Sequence, residues 1–234
     1  MGRCEHRRLP AIPTVGRFKH TDWRSVNGGN LDKRLDRGLT TRQHIVETAT
    51  QLFAESGFEA VSIESILTGC GISKGALYHH FASKEAVFLA VLETVEARVA
   101  SELFSASEGA ADPLEALRRG GAGWLALAAN DPVVRQIILV DAPSVLGWDA
   151  WRKMEGDYSL GLLRAAFAAG VPSGRVRAER VEVFSHMLLA VLTEVALMIA
   201  RSPGDADAVQ NGVDAIEQVL SGLFGVEPNS AWED

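Results

Sequence analysis

Apolar side chains recur at helical spacing along most of the chain. In the first such stretch they follow the i, i+4, i+7, i+8 pattern of one helix face: Ile45, Ala49, Leu52 and Phe53. Thr40 and Gln43 have the spacing of a capping box, which predicts that this helix begins at Thr40. Gly57 followed by Phe58 predicts its end, because glycine accepts the left-handed backbone conformation and the apolar residue folds back.

Serine and glycine residues mark the boundaries of three further helices. Ser62 is placed to cap a short second helix, and Gly71 is placed to end it. Ser73 then caps a short third helix over residues 74–80, and Ser83 caps a longer fourth helix. The second and third helices therefore meet at a glycine-containing turn, which is typical of a helix-turn-helix that places its second helix in a DNA groove.

The pattern stays helical from Asp112 onward, with no alternating strand runs and no glycine-rich phosphate loop. The predicted helices cover residues 113–130, a segment that starts at 131, and residues 151–169, 177–201 and 206–224. A break is predicted at residues 141–144, followed by a loop or short turn over residues 143–148. The helix at 177–201 is predicted to be the longest, and its wide apolar arc requires burial on more than one side. The sequence thus predicts an all-α protein of about nine helices.

Four segments follow from this pattern. Residues 1–37 contain prolines, glycines and many basic side chains with little periodicity, and we predict a mostly disordered basic extension. Residues 38–84 form the predicted three-helix helix-turn-helix domain, residues 85–225 a larger helical domain, and residues 226–234 a tail. The extension is interpreted either as a basic arm that reaches an adjacent minor groove or as a tail without a role in binding.

The charge of the chain is divided unevenly. The formal net charge is −7, yet residues 1–44 hold ten Lys and Arg against four Asp and Glu, a net of +6. The remaining residues carry a net of −13. Because charges are screened beyond about 8 Å at physiological salt, a local basic face can bind DNA beside an acidic domain. The acidic remainder argues against nucleic acid wrapped over the whole surface.

The cysteines and the apolar stretches indicate a compartment. Cys4 and Cys70 are too few and too scattered for a disulfide framework or a zinc finger, and Cys70 is predicted to be a buried thiol. The N-terminus lacks the apolar segment of a signal peptide. The longest apolar stretch, residues 187–200, is shorter than the ~20 residues that a bilayer-spanning helix needs. We therefore expect a soluble cytoplasmic protein without a membrane partner.

The first four predicted helices resemble the N-terminal DNA-binding domain of the tetracycline-repressor (TetR) family of bacterial transcription regulators. The resemblance covers roughly residues 38–95 and is carried by IVETATQLFAESGF at 45–58, Ser62 to Ile66, and GISKGALYHHFASKE at 71–85. Two places depart from the family's usual pattern. Gly69 and Cys70 stand where a charged and a small residue are more common, and Ala76 stands where Thr, Ser or Asn is common.

The resemblance implies that the third helix lies in the major groove of double-stranded DNA. Small Gly75 and Ala76 allow a close approach to the groove floor, and Lys74 and Tyr78 can reach phosphates or base edges. For His80, packing or solvent exposure is an equally good interpretation. The predicted DNA-binding residues are Thr40, Arg42, Ser62, Ser73, Lys74, Gly75, Ala76, Tyr78, His79, His80 and Lys84.

The same resemblance implies that residues 85–225 bind an effector and form a homodimer through the last two helices. In that family the larger domain usually encloses a pocket for a small molecule, whose identity the sequence does not indicate. The candidate lining residues are Phe104, Trp124, Trp148, Trp151, Met154, Tyr158, Phe167, His186 and Glu194. For each of them, an ordinary core position is the competing interpretation, because aromatic residues at helical spacing are commonly core.

The favoured hypothesis is a dimeric repressor that a small-molecule effector releases from a palindromic operator. A transcriptional activator and an effector-independent DNA-binding protein are the alternatives. An enzyme is the rival from another class, based on an H-x-x-E at His44 and Glu47 and on the i, i+4 pair Glu182 and His186. A di-metal helical bundle needs several more such ligands on facing helices. We therefore predict no catalytic residues, no metal and no cofactor.

Overall fold

The computed structural model describes residues 31–202 and 204–225, without the side chains of residues 31–39 and Ala206. The helices are α1 Leu31–Ala60, α2 Ile63–Cys70, α3 Lys74–His80, α4 Lys84–Ser107, α5 Pro113–Asn130, α6 Ala142–Leu146, α7 Trp148–Ala169, α8 Val181–Ala200 and α9 Ala206–Leu223. A π-helical segment, Val134–Asp141, precedes α6, and a 3₁₀ turn, Ala178–Arg180, precedes α8. No strand occurs within the described ranges, which confirms the all-α prediction.

The described residues from Leu39 onward form one compact unit. The predictions for residues 1–30 and 226–234 lie outside the described residues. Residues 31–37 are helical rather than irregular, so α1 begins at Leu31 and not at Thr40. Thr40 therefore lies inside a helix, and its predicted role as an N-cap is wrong.

The caps around α2 and α3 confirm the predicted helix-turn-helix. The Ser62 and Ser73 hydroxyls accept hydrogen bonds from the backbone N–H groups of Ser65 (3.0 Å) and Ala76 (3.3 Å), respectively. Gly71 ends α2 in the left-handed conformation, with φ 64° and ψ 32°. Because these groups satisfy N–H donors that a helix start leaves open, the two short helices have defined ends despite their length.

The C-terminal helices pack around a common core, with α5 in contact with α4, α7, α8 and α9. The predicted bounds of α5 are confirmed, and Asp131 caps the next segment through bonds to the N–H groups of Val133 (2.8 Å) and Val134 (3.2 Å). The break predicted at 141–144 is wrong, because the chain passes directly from the π-helical segment into α6. The break occurs at Gly147, with φ 77°.

Helix α8 has 20 residues, whereas the continuous helix α4 has 24, so the prediction that α8 is the longest helix is wrong. Residues Ala178–Ala200 are long and apolar enough to cross a membrane by length and composition alone, with a mean hydropathy of 2.0. The expectation that the apolar stretch is too short to span a bilayer was drawn from residues 187–200 alone, and it does not hold for the longer span Ala178–Ala200. One face of α8 is buried against neighbouring helices through residues such as Leu188, Leu192 and Ala196, as in a helix of a folded core.

Candidate DNA-binding site

The outer face of α3 carries the residues predicted to meet DNA. Lys74, Gly75, Tyr78 and His79 are exposed, and Tyr78 retains 45% of its accessible surface. A Cβ added at Gly75 would meet no atom within 4 Å, so the surface there is open to a close approach. The Lys74 ammonium lies 5.9 Å from the centroid of the Tyr78 ring, which places a cation and an aromatic ring on the same face.

The inner face of α3 packs into the apolar core of the domain. Leu77, on the inner face of α3, is completely buried. Deeper in the domain, the ring centroids of Phe53, Phe58 and Phe88 lie 5.1 to 5.7 Å apart, in tilted and edge-on arrangements. Gly69 allows α2 to approach α1, since a Cβ there would lie 2.8 Å from Thr48 Cγ2. The departure from the family pattern at Gly69 thus has a packing reason.

The remaining candidates on this side are placed less uniformly. Arg42 is exposed on α1, and its guanidinium lies 5.0 Å from the centroid of the Phe81 ring. Ala76 and His80 are half-buried. The His79 and His80 rings are in edge contact, with centroids 5.1 Å apart. The candidates Thr40, Ser62 and Ser73 are exposed, and Cys70 is buried as predicted.

Lys84 does not present its ammonium to a DNA face. Its Nζ donates hydrogen bonds to the backbone carbonyls of Phe58 (2.9 Å) and Val61 (3.0 Å) and lies 4.0 Å from the centroid of the Phe58 ring. These carbonyls lie at the end of α1, where they have no intrahelical partner. We therefore correct the prediction for Lys84 from a phosphate contact to a group that ties the start of α4 to the end of α1.

A backbone junction joins the helix-turn-helix to the C-terminal domain. Gly57 has φ 77° and ψ 161°, a positive φ as predicted but an extended rather than left-handed helical conformation. The next residue, Phe58, donates its backbone N–H to Asp141 Oδ2 at 2.8 Å, and Gln136 Nε2 donates to Asp141 Oδ1 at 3.0 Å. Burial raises the pKa of Asp141, and the two hydrogen bonds oppose that shift. Sequence analysis missed this contact because its partners are 83 residues apart.

The pocket candidates do not form one group. Trp151 is buried, while Trp124, Met154 and Tyr158 are half-buried. The Trp124 indole N–H donates to the Leu192 carbonyl at 3.3 Å. Phe167 is fully buried and its ring stacks on Phe224 with centroids 5.5 Å apart, as a core residue would.

Four pocket candidates lie on the outside of the domain and are removed from that role. These are Phe104, Trp148, His186 and Glu194, all of which are exposed. His186 Nε2 lies 3.1 Å from the Glu182 carboxylate, which also accepts two hydrogen bonds from Arg164. The bond from Arg164 is the main reason that the pKa of Glu182 falls to about 2. The Glu182 and His186 pair is therefore part of a surface ion pair.

The described residues hold no cluster of three or more His, Cys, Asp or Glu that could bind a metal.

A polar cluster buried between α4, α7 and α8 was missed by the sequence analysis. Glu155 on α7 accepts hydrogen bonds from Arg152 (2.5 Å) and from the Thr193 hydroxyl of α8. Glu96 on α4 is 5% exposed and its carboxyl accepts no hydrogen bond from any described residue. Burial raises the pKa of Glu96 to about 7, and the neighbouring Glu155 carboxylate adds to the shift. Burial also raises the pKa of Glu155.

The spacing of α4 contained an indication of this cluster. Glu96 follows Leu92 by four residues and Phe88 by eight, which places its side chain on the apolar face of that helix. On α7, Glu155 follows the buried Trp151 by four residues. Among the described residues, one side-chain polar atom is sealed from solvent and has no hydrogen-bond partner. This atom is Trp151 Nε1. An unpaired indole N–H and an unpaired carboxyl thus occur in the same domain core.

Comparison with known proteins places both domains. Residues 45–91 match the family described as bacterial regulatory proteins, tetR family, and residues 114–223 match the tetracyclin repressor-like C-terminal domain. The HTH-type transcriptional regulator UidR of Escherichia coli K12 is 35% identical over 79 residues, which are 34% of this chain and 40% of UidR. The HTH-type transcriptional repressor AcnR of Corynebacterium glutamicum is 40% identical over 65 residues, 28% of this chain and 35% of AcnR.

The matches to these curated relatives therefore span less than half of their length. The fold comparison extends further. A crystal structure of a TetR-family transcriptional regulator from Pectobacterium atrosepticum superposes with a TM-score of 0.72 and 27% identity, covering 83% of this chain and 98% of that one. With both domain matches and this likeness over nearly the whole neighbour, the chain belongs to the TetR family of helix-turn-helix transcriptional regulators.

Proposed function

We propose that the protein is a cytoplasmic, dimeric repressor that binds a palindromic operator through α3 and is released by a small-molecule effector. The observation that carries this proposal is the exposed face of α3, with Lys74, Gly75, Tyr78 and His79 directed outward above the buried Leu77. A single short helix contacts few base pairs. Two copies separated by about 34–36 Å can read two half-sites in successive major grooves.

The proposed contacts on α3 divide into two kinds. The Lys74 ammonium and the Tyr78 hydroxyl contact phosphates, which position the helix, while Gly75 and Ala76 permit its backbone to approach the bases. Ser73 and His79 add donors at the same surface, and Arg42 on α1 adds a further cation. The name of AcnR, a repressor, supports repression rather than activation by this chain.

An exposed stripe on α8 supports the dimer. The stripe follows the i, i+4, i+7, i+11, i+15 spacing of one helix face and comprises Val183, Met187, Ala190, Glu194 and Met198. Val183, Met187 and Met198 are 50%, 47% and 59% exposed, which is a large apolar area to leave in water. We infer that the stripe packs, together with α9, against its copy in a second subunit, and that Glu194 lies at this interface rather than in the effector pocket.

Release requires that the effector and the operator favour different arrangements of the two subunits. A ligand that moves such an equilibrium from 1:99 to 99:1 needs about 5.5 kcal/mol of differential affinity. Two structural links carry a movement of the C-terminal domain to α3: helix α4 itself and the bond between Asp141 and the Phe58 N–H.

The DNA proposal is tested on an operator obtained by selecting bound fragments from the source genome. Binding constants are then measured against salt concentration for the wild type, Tyr78→Ala and Lys74→Met. Each variant is expected to bind more weakly, and Lys74→Met lowers the salt slope by about one because one phosphate contact is lost. Lys153→Met, an equivalent change at an exposed position of α7, is the matched control. Unchanged operator binding in both α3 variants contradicts the docking proposed here.

The dimer proposal is tested by sedimentation equilibrium. Met187→Asp places a charge in the stripe and is expected to produce a monomer that binds the operator poorly. Val140→Asp is the control, because Val140 has the same exposure of 47% but lies outside the stripe on the π-helical segment. A wild-type chain that is monomeric at micromolar concentration, or equal dissociation of both variants, overturns the interface.

A further inference from the structure

We propose that the buried polar cluster of α4, α7 and α8 binds an effector with one positive charge on an apolar body, recognised by Glu96 and by the Trp151 indole N–H. This inference rests on the proposed function, because it names the ligand class of the effector domain. The cluster consists of Glu96, Arg152, Glu155 and Thr193, and Trp151 lies one helical turn before Glu155 on α7.

The charges within the cluster do not balance. Arg152 is the cation that contacts Glu155, with Nη1 2.5 Å from the carboxylate, and the Thr193 hydroxyl donates to the same group. Glu96 has neither an ion pair nor a hydrogen bond with any described residue, although its side chain is almost fully buried. An ionised Glu96 therefore leaves the cluster with one uncompensated negative charge. Burying such a charge is unfavourable unless a counter-charge accompanies it.

An organic cation is the ligand that removes this cost. A protonated amine donates to the Glu96 carboxylate and neutralises it in a medium where their attraction is poorly screened. A neutral alcohol can donate a hydrogen bond but leaves the charge uncompensated, and an anion adds to the repulsion. The half-buried Tyr158 and Met154 lie on α7 within a turn of Glu155, so the helix that carries the cluster also offers apolar and aromatic surface to the body of the ligand.

Trp151 independently indicates a missing partner. Its side chain is 1% exposed and its Nε1 has no acceptor. Buried polar groups in proteins are almost always paired, so a sealed indole N–H without an acceptor is an exception that requires a reason. A ligand oxygen within hydrogen-bond distance of Nε1 supplies that acceptor. The proposed effector therefore combines a cationic nitrogen, an ether or carbonyl oxygen and an apolar body.

The test uses three probes of equal size with the full-length protein. These are phenoxypropylamine, phenylbutylamine and phenoxypropanol. The first two differ only by an ether oxygen in place of a methylene, and the first and third differ only in amine against hydroxyl. Binding is measured by titration calorimetry at about pH 8 and about pH 6, on either side of the pKa of Glu96. Phenoxypropylamine is expected to bind at least tenfold more tightly than either of the others at the higher pH.

Two substitutions assign the preferences to their residues. Glu96→Gln is expected to abolish the preference for the amine over the alcohol, and Trp151→Phe to abolish the preference for the ether amine over its methylene analogue. Glu85→Gln, an exposed change in the first turn of the same helix, is the control and should retain both preferences. Amine affinity in the wild type should fall about tenfold from the higher to the lower pH, because Glu96 becomes protonated. Glu155 and Tyr158 interact electrostatically with Glu96, so their own titration can also change amine binding with pH. The pH dependence is assigned to Glu96 only if Glu96→Gln removes it.

The outcomes separate the ligand class from the proposed function. Equal binding of the amine and the alcohol, no binding of either amine at millimolar concentration, or a preference that survives Glu96→Gln overturns the cationic ligand. Operator binding and dimerisation are measured without any probe, so their failure overturns the proposed repressor independently. Amines that bind through Glu96 yet leave the operator complex intact at saturation overturn the role of the cluster as an effector site.

Discussion

A charged side chain in the helix-turn-helix domain and one in the C-terminal domain are paired differently. In the former, the Lys84 ammonium donates to two carbonyls and lies against an aromatic ring. In the latter, Glu96 is 5% exposed as a residue and its carboxyl has no hydrogen-bond partner in the described residues, while its oxygens retain contact with solvent. A satisfied charge fixes one arrangement of the helices around it. An unsatisfied one lowers stability and leaves binding energy for a ligand that pairs with it.

The largest predicted effect concerns Glu96. Its pKa is about 7 in the folded protein against an ordinary value of 4.5, so the folded state holds a proton that the unfolded chain has lost between these values. The contribution of Glu96 to stability is therefore fully present below pH 4.5 and is lost as the pH rises to about 7. Glu96→Gln should remove this loss and stabilise the protein by up to about 3 kcal/mol at neutral to alkaline pH.

Urea unfolding of wild type and Glu96→Gln, compared at several pH values, measures this difference directly. Other carboxylates titrate in both proteins, so only the change in the difference with pH reports on Glu96. A difference that is the same at acidic and alkaline pH contradicts the assignment of an unpaired, buried carboxyl to Glu96.

The second prediction sets Lys84 against Lys74, the first residues of α4 and α3. Lys84→Met removes two charge-assisted hydrogen bonds and a cation–π contact, and should lower the free energy of unfolding by about 2 kcal/mol. Lys74→Met removes an exposed group and should leave that free energy within about 0.5 kcal/mol of the wild type. Operator titrations at increasing salt should show the reverse, with a reduced slope for Lys74→Met alone. A reduced slope for folded Lys84→Met restores Lys84 to the DNA-contacting set.

The third prediction tests the junction between the two domains. Asp141→Asn keeps the shape of the side chain but replaces one acceptor oxygen by an N–H₂ donor. That donor then faces another donor, either the Phe58 N–H or Gln136 Nε2, so one hydrogen bond is lost. The loss should be about 1 kcal/mol in denaturant unfolding. Asp149→Asn, an exposed change on α7, should have no measurable effect. Equal stability of both variants shows that the contact at Gly57 and Phe58 does not hold the domains together.

Local structure was predictable where a single residue type determines it. The serine caps at Ser62, Ser73 and Ser83 and the end of α2 at Gly71 are confirmed because each depends on neighbours within four residues. The start of α1 was missed, since the capping-box spacing at Thr40 also occurs inside a continuous helix.

The functional residues were predictable only in part. The exposed side chains of α3 follow from helical spacing around Leu77. In contrast, the two carbonyl partners of Lys84 and the Asp141 contact of Phe58 join residues 23 to 83 positions apart, and no local pattern encodes such distances. The exposed pocket candidates show a second limit of sequence-based prediction, which concerns burial. Aromatic and polar residues in a helical stretch do not reveal which face the fold covers, as Trp148 and Trp151 demonstrate, being 57% and 1% exposed.

The smallest predicted effect concerns two serine caps. Their removal is expected to cost the same stability, but only one of them lies at the proposed DNA surface. Ser73 caps α3 and Ser83 caps α4, through bonds of 3.3 Å and 3.2 Å to backbone N–H groups. Replacing either by alanine should cost about 1 kcal/mol or less, measured by denaturant unfolding. Only Ser73→Ala should also weaken operator binding, because it frees the first turn of α3 at the proposed DNA surface. If Ser83→Ala weakens the operator complex equally, loss of helix order in general explains the effect, and Ser73 has no separate role at the DNA.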